Sequence, residues 1–371
     1  MRRILFVMPQ LYGGGAERVV AALAEEISSR KGMEVHLATY LCDRDKDYPI
    51  SSRVQRHTLD KISRSAWTRI RNKVAFLKQT IRRIEPDCVI SLAGPAMVTL
   101  LTLAMRGMRI PLILSERNDP RHYPKPLHLR FLRTWCYRNS SAVVFQTSEA
   151  REFFGAGIQK KGTVITNPLT AQLPAPYEGI WEKRIVTSCR LTPQKNLDLL
   201  IDAFSDIAEQ FPQVSLDIYG EGPERQRLSE KINTLQLSGR VTLRGYSSNI
   251  YEEIRKASMF VSSSDYEGIS NSMLEAIALG IPTISTDCPS GGARETIEHG
   301  RNGLLVPVGD RAALAAAMRA LLSDPAYAKC LGKQGVTLRE RICVSAVAQQ
   351  WMAVAEGLWQ SSECGPGLTE R

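Results

Sequence analysis

The sequence is short of several things, and each shortage excludes a class of protein. It has 8 cysteines in 371 residues and no C-x-x-C pair. A disulfide-stapled scaffold is therefore excluded, and a reduced, cytoplasmic setting is the simplest expectation. Histidines number 5; His122 and His128 lack metal-ligand spacing and have no cysteine nearby. The longest apolar run, near Ala96–Met105, is far below the ~20 residues of a membrane span. Met1-Arg2-Arg3 before Ile4–Met8 starts like a secretion signal. That run is too short, however, and a glycine-rich turn stands where a cleavage site belongs, so it reads as a first strand. There is no Gly-Lys-Ser/Thr, which excludes a P-loop. Asp43-Arg44-Asp45 and Asp45-Lys46-Asp47 match D-x-D, but they sit in a loop of alternating charge. Two carboxylates alone make a poor Mg²⁺ site without substrate phosphates, and no metal is expected.

What is present is a soluble composition, 43% hydrophobic and 23% charged, in a chain long enough for about two domains of ~150 residues. The charge is uneven. Residues 1–175 carry 28 basic and 14 acidic side chains, and residues 176–371 carry 20 and 24. The whole positive excess thus lies in the first half, as expected of two domains with different partners. Its densest stretch, Lys61–Arg83, holds eight basic residues and no acid. Ile62, Ala66, Ile70, Val74, Leu77, Ile81 and Ile84 recur there at helical spacing. With Trp67 and Phe76, such a helix either lies on an anionic membrane surface or packs into a core with a solvated basic face. Both readings stay open. The segment has no recognisable nucleic-acid module.

The first half alternates strand and helix. Strands are expected at Arg3–Pro9, Glu34–Tyr40, Cys88–Leu92, Pro111–Ser115, Ala142–Gln146 and Gly162–Ile165. Helices are expected at Ala16–Arg30, across the basic stretch, and at Pro95–Met105 and Leu127–Asn139. A proline- and glycine-spaced stretch from Asn167 to Gly179 reads as a linker. The alternation then restarts, with strands at Ile185–Cys189, Val214–Tyr219, Val241–Arg244, Met259–Ser262 and Pro282–Thr286. Two doubly wound α/β domains follow, residues 1–175 and 176–345. Residues 346–371 are expected to form a C-terminal helix, Ala346–Leu358, crossing back to the first domain, with a frayed tail from Ser361.

In open α/β sheets, ligands bind beyond the carboxyl ends of strands. After the first strand stand Gly13-Gly14-Gly15, either an anion-binding helix start or a plain tight turn. After the first strand of the second domain comes Cys189-Arg190-Leu191-Thr192-Pro193-Gln194-Lys195-Asn196. Two cations at a strand end, beside a helix start, suit a diphosphate. The most informative segment is Ser262–Gly280, SSSDYEGISNSMLEAIALG. Its Glu267 and Glu275 flank a helix N-terminus, where carboxylates accept sugar hydroxyls and free N–H groups hold phosphate or sugar oxygens. Asp265 reads as structural or as a rim residue, and Trp181 and Trp351 as core or domain-contact residues rather than stacking platforms.

With these motifs on the page, the chain resembles a retaining glycosyltransferase of family 4 with the GT-B fold, two Rossmann-like domains facing across a cleft. The resemblance rests on G-G-G-A-E-R, R-L-T-P-Q-K-N, G-E-G-P-E-R at Gly220–Arg225, E-G-I-S-N-S-M-L-E, S-T-D-C-P-S-G-G-A-R-E and N-G-L-L-V, in this order. Ser115-Glu116-Arg117-Asn118-Asp119 is similar to a subset that builds exopolysaccharides, O-antigens and lipid-linked oligosaccharides. The amylovoran-type and bacterial N-glycan N-acetylgalactosaminyltransferases belong to it.

The resemblance implies a nucleotide-sugar donor, most often a UDP-sugar, and no cofactor. It implies that Arg190 and Lys195 neutralise the diphosphate, that Glu267 lies by the donor sugar, and that Glu275 binds ribose. Gly268, Ile269, Ser270 and Asn271 would contact sugar and phosphate through their amides. Gly14, Gly15 and Arg117 complete the implied donor contacts, with the acceptor entering near the glycines. Arg117 stands where many members have histidine, and Cys189 where many have glycine. The implied partners are a lipid-linked glycan acceptor and an anionic membrane surface met through Lys61–Arg83. The implied place is the inner face of the plasma membrane. A nucleotide-sugar 2-epimerase on the same fold, or a non-catalytic sugar-nucleotide-binding subunit, are the alternatives. The first would need its own acid/base set, and the second would be supported by a missing Glu267 or Lys195.

Overall fold

The computed structural model describes residues 1–43, 45–59 and 66–363. Arg44 of the first D-x-D match, Lys61–Ser65 of the basic stretch and the end of the tail lie outside the described residues. The chain forms two compact units, one of Met1–Thr170 with the stretch that starts at Cys343, the other of Ala171–Ile342.

The first unit holds strands β1 (Arg2–Met8), β2 (Met33–Thr39), β3 (Val54–Thr58), β4 (Cys88–Ser91), β5 (Leu112–Glu116), β6 (Ala142–Phe145) and β7 (Gly162–Val164). They make one sheet in the order β3-β2-β1-β4-β5-β6-β7, and every pairing is parallel. Ile4–Val7, Val89 and Val143–Phe145 are fully or almost fully buried, as strands covered on both faces must be. Helices α1 (Gly15–Ser28), α2 (Ala66–Ile84), α3 (Pro95–Ala104) and α4 (Leu127–Asn139) make the main crossovers, followed by the short α5 (Ser148–Glu152) and α6 (Ala156–Gln159). Right-handed connection puts α2, α3 and α4 on one face of the sheet, because their crossovers all step the same way, and α1 on the other.

The second unit repeats the plan. Its strands are β8 (Glu182–Ser188), β9 (Ser215–Tyr219), β10 (Val241–Gly245), β11 (Ala257–Ser262), β12 (Thr283–Thr286) and β13 (Leu304–Val306). They form a parallel sheet in the order β10-β9-β8-β11-β12-β13. Its helices are α7 (Leu197–Ala208), α8 (Arg225–Thr234), α9 (Ile250–Arg255), α10 (Asn271–Ala278), α11 (Arg311–Ser323), α12 (Pro325–Gly335) and α13 (Leu338–Arg341). Leu199, Leu200, Ala203, Phe204 and Ile207 of α7 press into a core shared with Leu216, Ile218 and Met259.

Helix α14 (Val344–Glu363) belongs to the first unit and packs on α1. Val347, Trp351, Ala355 and Trp359 form its buried stripe, at helical spacing. Trp359 Nε1 donates to the Asp87 carbonyl at 3.0 Å, and the Arg2 guanidinium lies 5.1 Å from the Trp359 ring centre.

The basic helix divides along its length. Leu77, Ile81 and Ile84 are buried, whereas Trp67 is 79% and Ile70 46% exposed. The last turns of its apolar face therefore pack on the core, and the first turns face outward.

Candidate functional site

In the second unit the predicted strand-end residues converge on one place. Two loops meet at the carboxyl ends of β8 and β11. The first carries Gln194-Lys195-Asn196, and the second carries Asp265-Tyr266-Glu267. Gln194 Nε2 donates to the Tyr266 carbonyl at 2.7 Å, and the Asp265 N–H to the Gln194 carbonyl at 2.9 Å. Asn196 Nδ2 donates to Asp265 Oδ1 at 2.6 Å, and the Ser263 hydroxyl to the Lys195 carbonyl at 2.9 Å. Lys195 Nζ is in direct contact with Glu267 Oε1, which also accepts from the Ser264 hydroxyl at 2.9 Å. Three consecutive residues of one loop are thus fastened to three of the other.

Asn196 sits at φ 42, ψ 53, in the left-handed region, and its side chain caps α7 by accepting from the Leu199 N–H. Asparagine tolerates that conformation better than most residues. One side chain therefore turns the chain, starts the helix and ties down Asp265. Of the two readings open for Asp265, its bonds to Asn196 and Gln194 favour the structural one; its place as an anchor beside Glu267 was not legible, because nothing in the spacing shows which neighbour it holds.

Burial acting alone would lower the Lys195 ammonium pKa; the Glu267 charge beside it outweighs this, and the result is a raised value. Lys195 is therefore charged near neutral pH, in an ion pair with Glu267 whose side chains are 17% and 15% exposed. Burial pushes the nearby Cys189 thiol up to about 11 and Cys288 up to about 12. Both stay protonated, so Cys189 stands as an uncharged group where the resemblance implies glycine.

Beyond Glu267 the chain runs through Gly268, Ile269 and Ser270 into α10, which begins at Asn271. The Ser270 hydroxyl accepts from the Met273 N–H at 3.4 Å. Glu275 lies one turn into the helix, 4% exposed, and the Tyr251 hydroxyl donates to its Oε1 at 3.4 Å. Arg190 is exposed at the end of β8.

Three glycines that sequence reasoning quoted without a role are explained by close approach. A Cβ on Gly220 would sit 1.9 Å from the Cys189 carbonyl oxygen, and one on Gly222 2.2 Å from that of Leu191. G-E-G-P-E-R thus backs the loop that bears Arg190. A Cβ on Gly292 would sit 1.6 Å from the Gly268 carbonyl oxygen, so P-S-G-G backs the loop that bears Glu267. Such contacts forbid any side chain.

The remaining predicted residues lie in the first unit. Gly13 has φ +79, Gly14 caps α1 in extended conformation, and Gly15 opens it. A Cβ on Gly14 would meet the Glu17 carboxylate. Arg117 follows β5, bonding the Asn167 side-chain oxygen and, at 3.5 Å, the Ser115 hydroxyl. Burial brings its pKa down to about 10, against an upward pull from Glu116. Glu116 itself is 3.0 Å from Arg133 and accepts from the Tyr137 hydroxyl at 3.3 Å. Asp119 pairs with His122. Glu116 and Asp119 thus have other partners than the Arg117 guanidinium.

Two parallel Rossmann-like units, with loops gathered at strand carboxyl ends, define a protein of the GT-B fold. Solved structures of that fold match nearly the whole chain. HepE of Anabaena in complex with UDP has a TM-score of 0.78 at 20% identity, covering 96% of this chain and 100% of that one. Sucrose-phosphate synthase of Thermosynechococcus elongatus has a TM-score of 0.83 at 19% identity, covering 97% and 100%. The family models for glycosyltransferase family 4 and glycosyl transferases group 1 match residues 13–172 and 181–337, and the chain belongs to this glycosyltransferase family.

Among curated relatives, the exopolysaccharide phosphotransferase of Streptomyces coelicolor is 36% identical over 74% of this chain and 29% of its own length. An alpha-1,4-N-acetyl-D-galactosaminyltransferase of Campylobacter jejuni, named for a GalNAc-containing glycan on PP-undecaprenol, is 23% identical over 95% of this chain and 98% of its own length. The chain spans less than two-thirds of several relatives: 29% of the first, 58% of a Methanocaldococcus jannaschii glycosyltransferase and 32% of a Bacillus subtilis poly(glycerol-phosphate) alpha-glucosyltransferase.

Proposed function

We propose that this protein is a metal-independent, retaining glycosyltransferase that moves a hexose or N-acetylhexosamine from a UDP-sugar to a lipid-linked glycan. The observation that carries the reading is the Lys195–Glu267 pair, held by the fastened loops at the end of β8. Lys195 and Arg190 meet the diphosphate and stabilise the charge that grows on it, the work a metal does elsewhere. Once Lys195 turns to phosphate, Glu267 is left to accept hydrogen bonds from the donor sugar. The amides from Gly268 to Asn271 hold sugar and phosphate oxygens at the start of α10. Glu275 binds the ribose hydroxyls. Gly14, Gly15 and Arg117 are the substrate-contacting residues of the first unit.

In the reaction the bond from the anomeric carbon to the diphosphate oxygen breaks. A bond from the acceptor oxygen forms on the same face, and the acceptor proton passes to the leaving phosphate. Configuration is retained, and no protein nucleophile takes part. The lipid-linked acceptor is supported by the name of the Campylobacter relative, which matches end to end. A nucleotide-sugar donor together with a lipid-linked acceptor supports work at the cytoplasmic face of a membrane; separately, among the described residues no helix is long and apolar enough to cross one.

The test is transfer from a panel of UDP-sugars to a polyprenyl-diphosphate glycan, comparing the native chain with Glu267→Gln. The expected loss in kcat is about 10²–10³-fold, the effect of removing one group that acts in the transition state. Undiminished transfer by Glu267→Gln removes that residue from the mechanism. Release of free sugar-nucleotide isomers without transfer would replace the reading with an epimerase.

A further inference from the structure

The loop from β5 to α4, residues 118–126, is tied down from beneath. Arg133 of α4 is 2% exposed. It donates to the Tyr123 carbonyl at 2.6 Å and to the Pro120 carbonyl at 3.2 Å, and Arg130 donates to the Pro124 carbonyl at 2.8 Å. Asp119 is fully buried. Its backbone carbonyl accepts from the Tyr123 N–H at 2.9 Å, and its Oδ1 from the Arg121 N–H at 3.0 Å. A loop held in this many places presents its outward side chains in fixed positions.

Two of those side chains are His122, 49% exposed, and Tyr123, 40% exposed. His122 Nδ1 donates to Asp119 Oδ2. Since that carboxylate is buried, the exposed part of the ring is the edge that bears Nε2. The bond also fixes which ring nitrogen carries the hydrogen, and in the neutral ring makes Nε2 the acceptor. The Tyr123 phenol lies over the end of β4, for a Cβ on Gly94 would meet its oxygen at 3.4 Å. Strand β4 stands next to β1. Between these two the chain reverses its direction across the sheet, and open α/β sheets bind ligands at such a switch point. An oriented imidazole and a half-exposed aromatic ring thus share one rigid loop at the ligand end of the sheet.

A pyranose has a C–H face that packs on an aromatic ring, and hydroxyls around its edge that take hydrogen bonds from or to placed polar groups. An anion fits the loop less well. Arg121, beside His122, lies 4.0 Å from Asp119 and 3.8 Å from Glu149, so its charge is matched within the protein. We propose that His122 and Tyr123 form a subsite for one neutral sugar unit of the acceptor glycan. Tyr123 packs on the C–H face of that sugar, and His122, held by Asp119, accepts from one of its hydroxyls. The hydroxyl held is a neighbour of the one that reacts, whose proton goes to the leaving phosphate. Assigning the sugar to the acceptor rests on the glycosyltransferase reading; the subsite itself rests on the loop.

The experiment pairs two readouts on the full chain. In transfer to a polyprenyl-diphosphate glycan, Tyr123→Ala and His122→Ala should each raise the acceptor KM about tenfold, the loss of one contact. The donor KM should stay within about twofold of native. Tyr123→Phe keeps the ring and should match the native chain, and His122→Gln should recover part of the loss. The second readout is saturation-transfer NMR with disaccharides of glucose, N-acetylglucosamine and N-acetylgalactosamine. The native chain should pass saturation to the C–H protons of at least one of them. Tyr123→Ala should lose that transfer while its UDP binding is unchanged. Equal unfolding temperatures verify that the variants fold. An unchanged acceptor KM in both alanine variants, a donor KM that rises as far as the acceptor's, or equal saturation by the native chain and Tyr123→Ala overturns the proposal. Sugar saturation that depends on Tyr123 in a chain that binds no nucleotide would fail the enzyme reading and leave the subsite standing. UDP binding with no disaccharide saturated would do the reverse.

Discussion

Lys195 and Glu267 depend on each other. Removing the ammonium by Lys195→Ala leaves a carboxylate that is 15% exposed without its cation. The expected loss of stability is about 3 kcal/mol, the order found when one member of a buried pair is removed. It should be read by denaturant unfolding, with Lys195→Arg recovering part. A second residue-scale effect lies far from the site. In the first unit Arg83 donates to His57 Nδ1 at 2.8 Å, His57 Nε2 lies 3.1 Å from His36 Nδ1, and His36 Nε2 faces Glu34 at 3.3 Å. Burial lowers both imidazoles, His57 to about 4 from 6.5. The unfolded chain therefore binds more protons, so stability is complete above about pH 6.5 and falls as pH drops toward 4. His57→Gln should flatten that slope in unfolding temperature measured from pH 7 to pH 4; an unchanged slope would show that the pair does not titrate on unfolding.

At the scale of elements, glycine placement gives opposite expectations at two positions. Gly292→Ala must push back the Gly268 carbonyl oxygen, 1.6 Å from the new Cβ, and with it the loop of Glu267. It should raise the KM for donor and lower stability, measured by kinetics and unfolding together. Gly357, exposed in α14 with nothing near its missing Cβ, should tolerate alanine. Helix propensity gains about 1 kcal/mol there, or about 2 °C in unfolding temperature for a chain of this size.

Elements were also where the sequence was most legible. Strands with runs such as Ile4-Leu5-Phe6-Val7 declare themselves by continuous apolar character, and Leu127–Asn139 was bounded by its prolines and the following strand. Strand β3, Val54–Thr58, was missed because Gln55, Arg56 and His57 read as loop; as an edge strand only Val54 is buried. Strand β13, Leu304–Val306, was not assigned although Asn302-Gly303-Leu304-Leu305-Val306 was quoted as a motif. The strand-end motifs were legible, and the structure brings two residues named from them, Lys195 and Glu267, into contact. Asn196–Asp265 and Gly292–Gly268 were not legible, because each is a contact across 69 and 24 positions that no local spacing encodes.

On the scale of the whole molecule, two Rossmann-like units of opposite charge balance divide the labour. The basic unit carries Gly14, Gly15 and Arg117. The acidic-balanced unit carries the fastened loops and the proposed donor site. The central claim is that the second unit binds a nucleoside diphosphate through Lys195, and thermal unfolding with UDP, GDP and ADP on the native chain and Lys195→Ala tests it most directly. UDP at ~100 times its Kd should stabilise the native chain by about 2.7 kcal/mol, and the Lys195→Ala shift at the same concentration should fall to a small fraction of that. A native chain that no nucleotide stabilises, or an equal UDP shift in both proteins, would contradict the account.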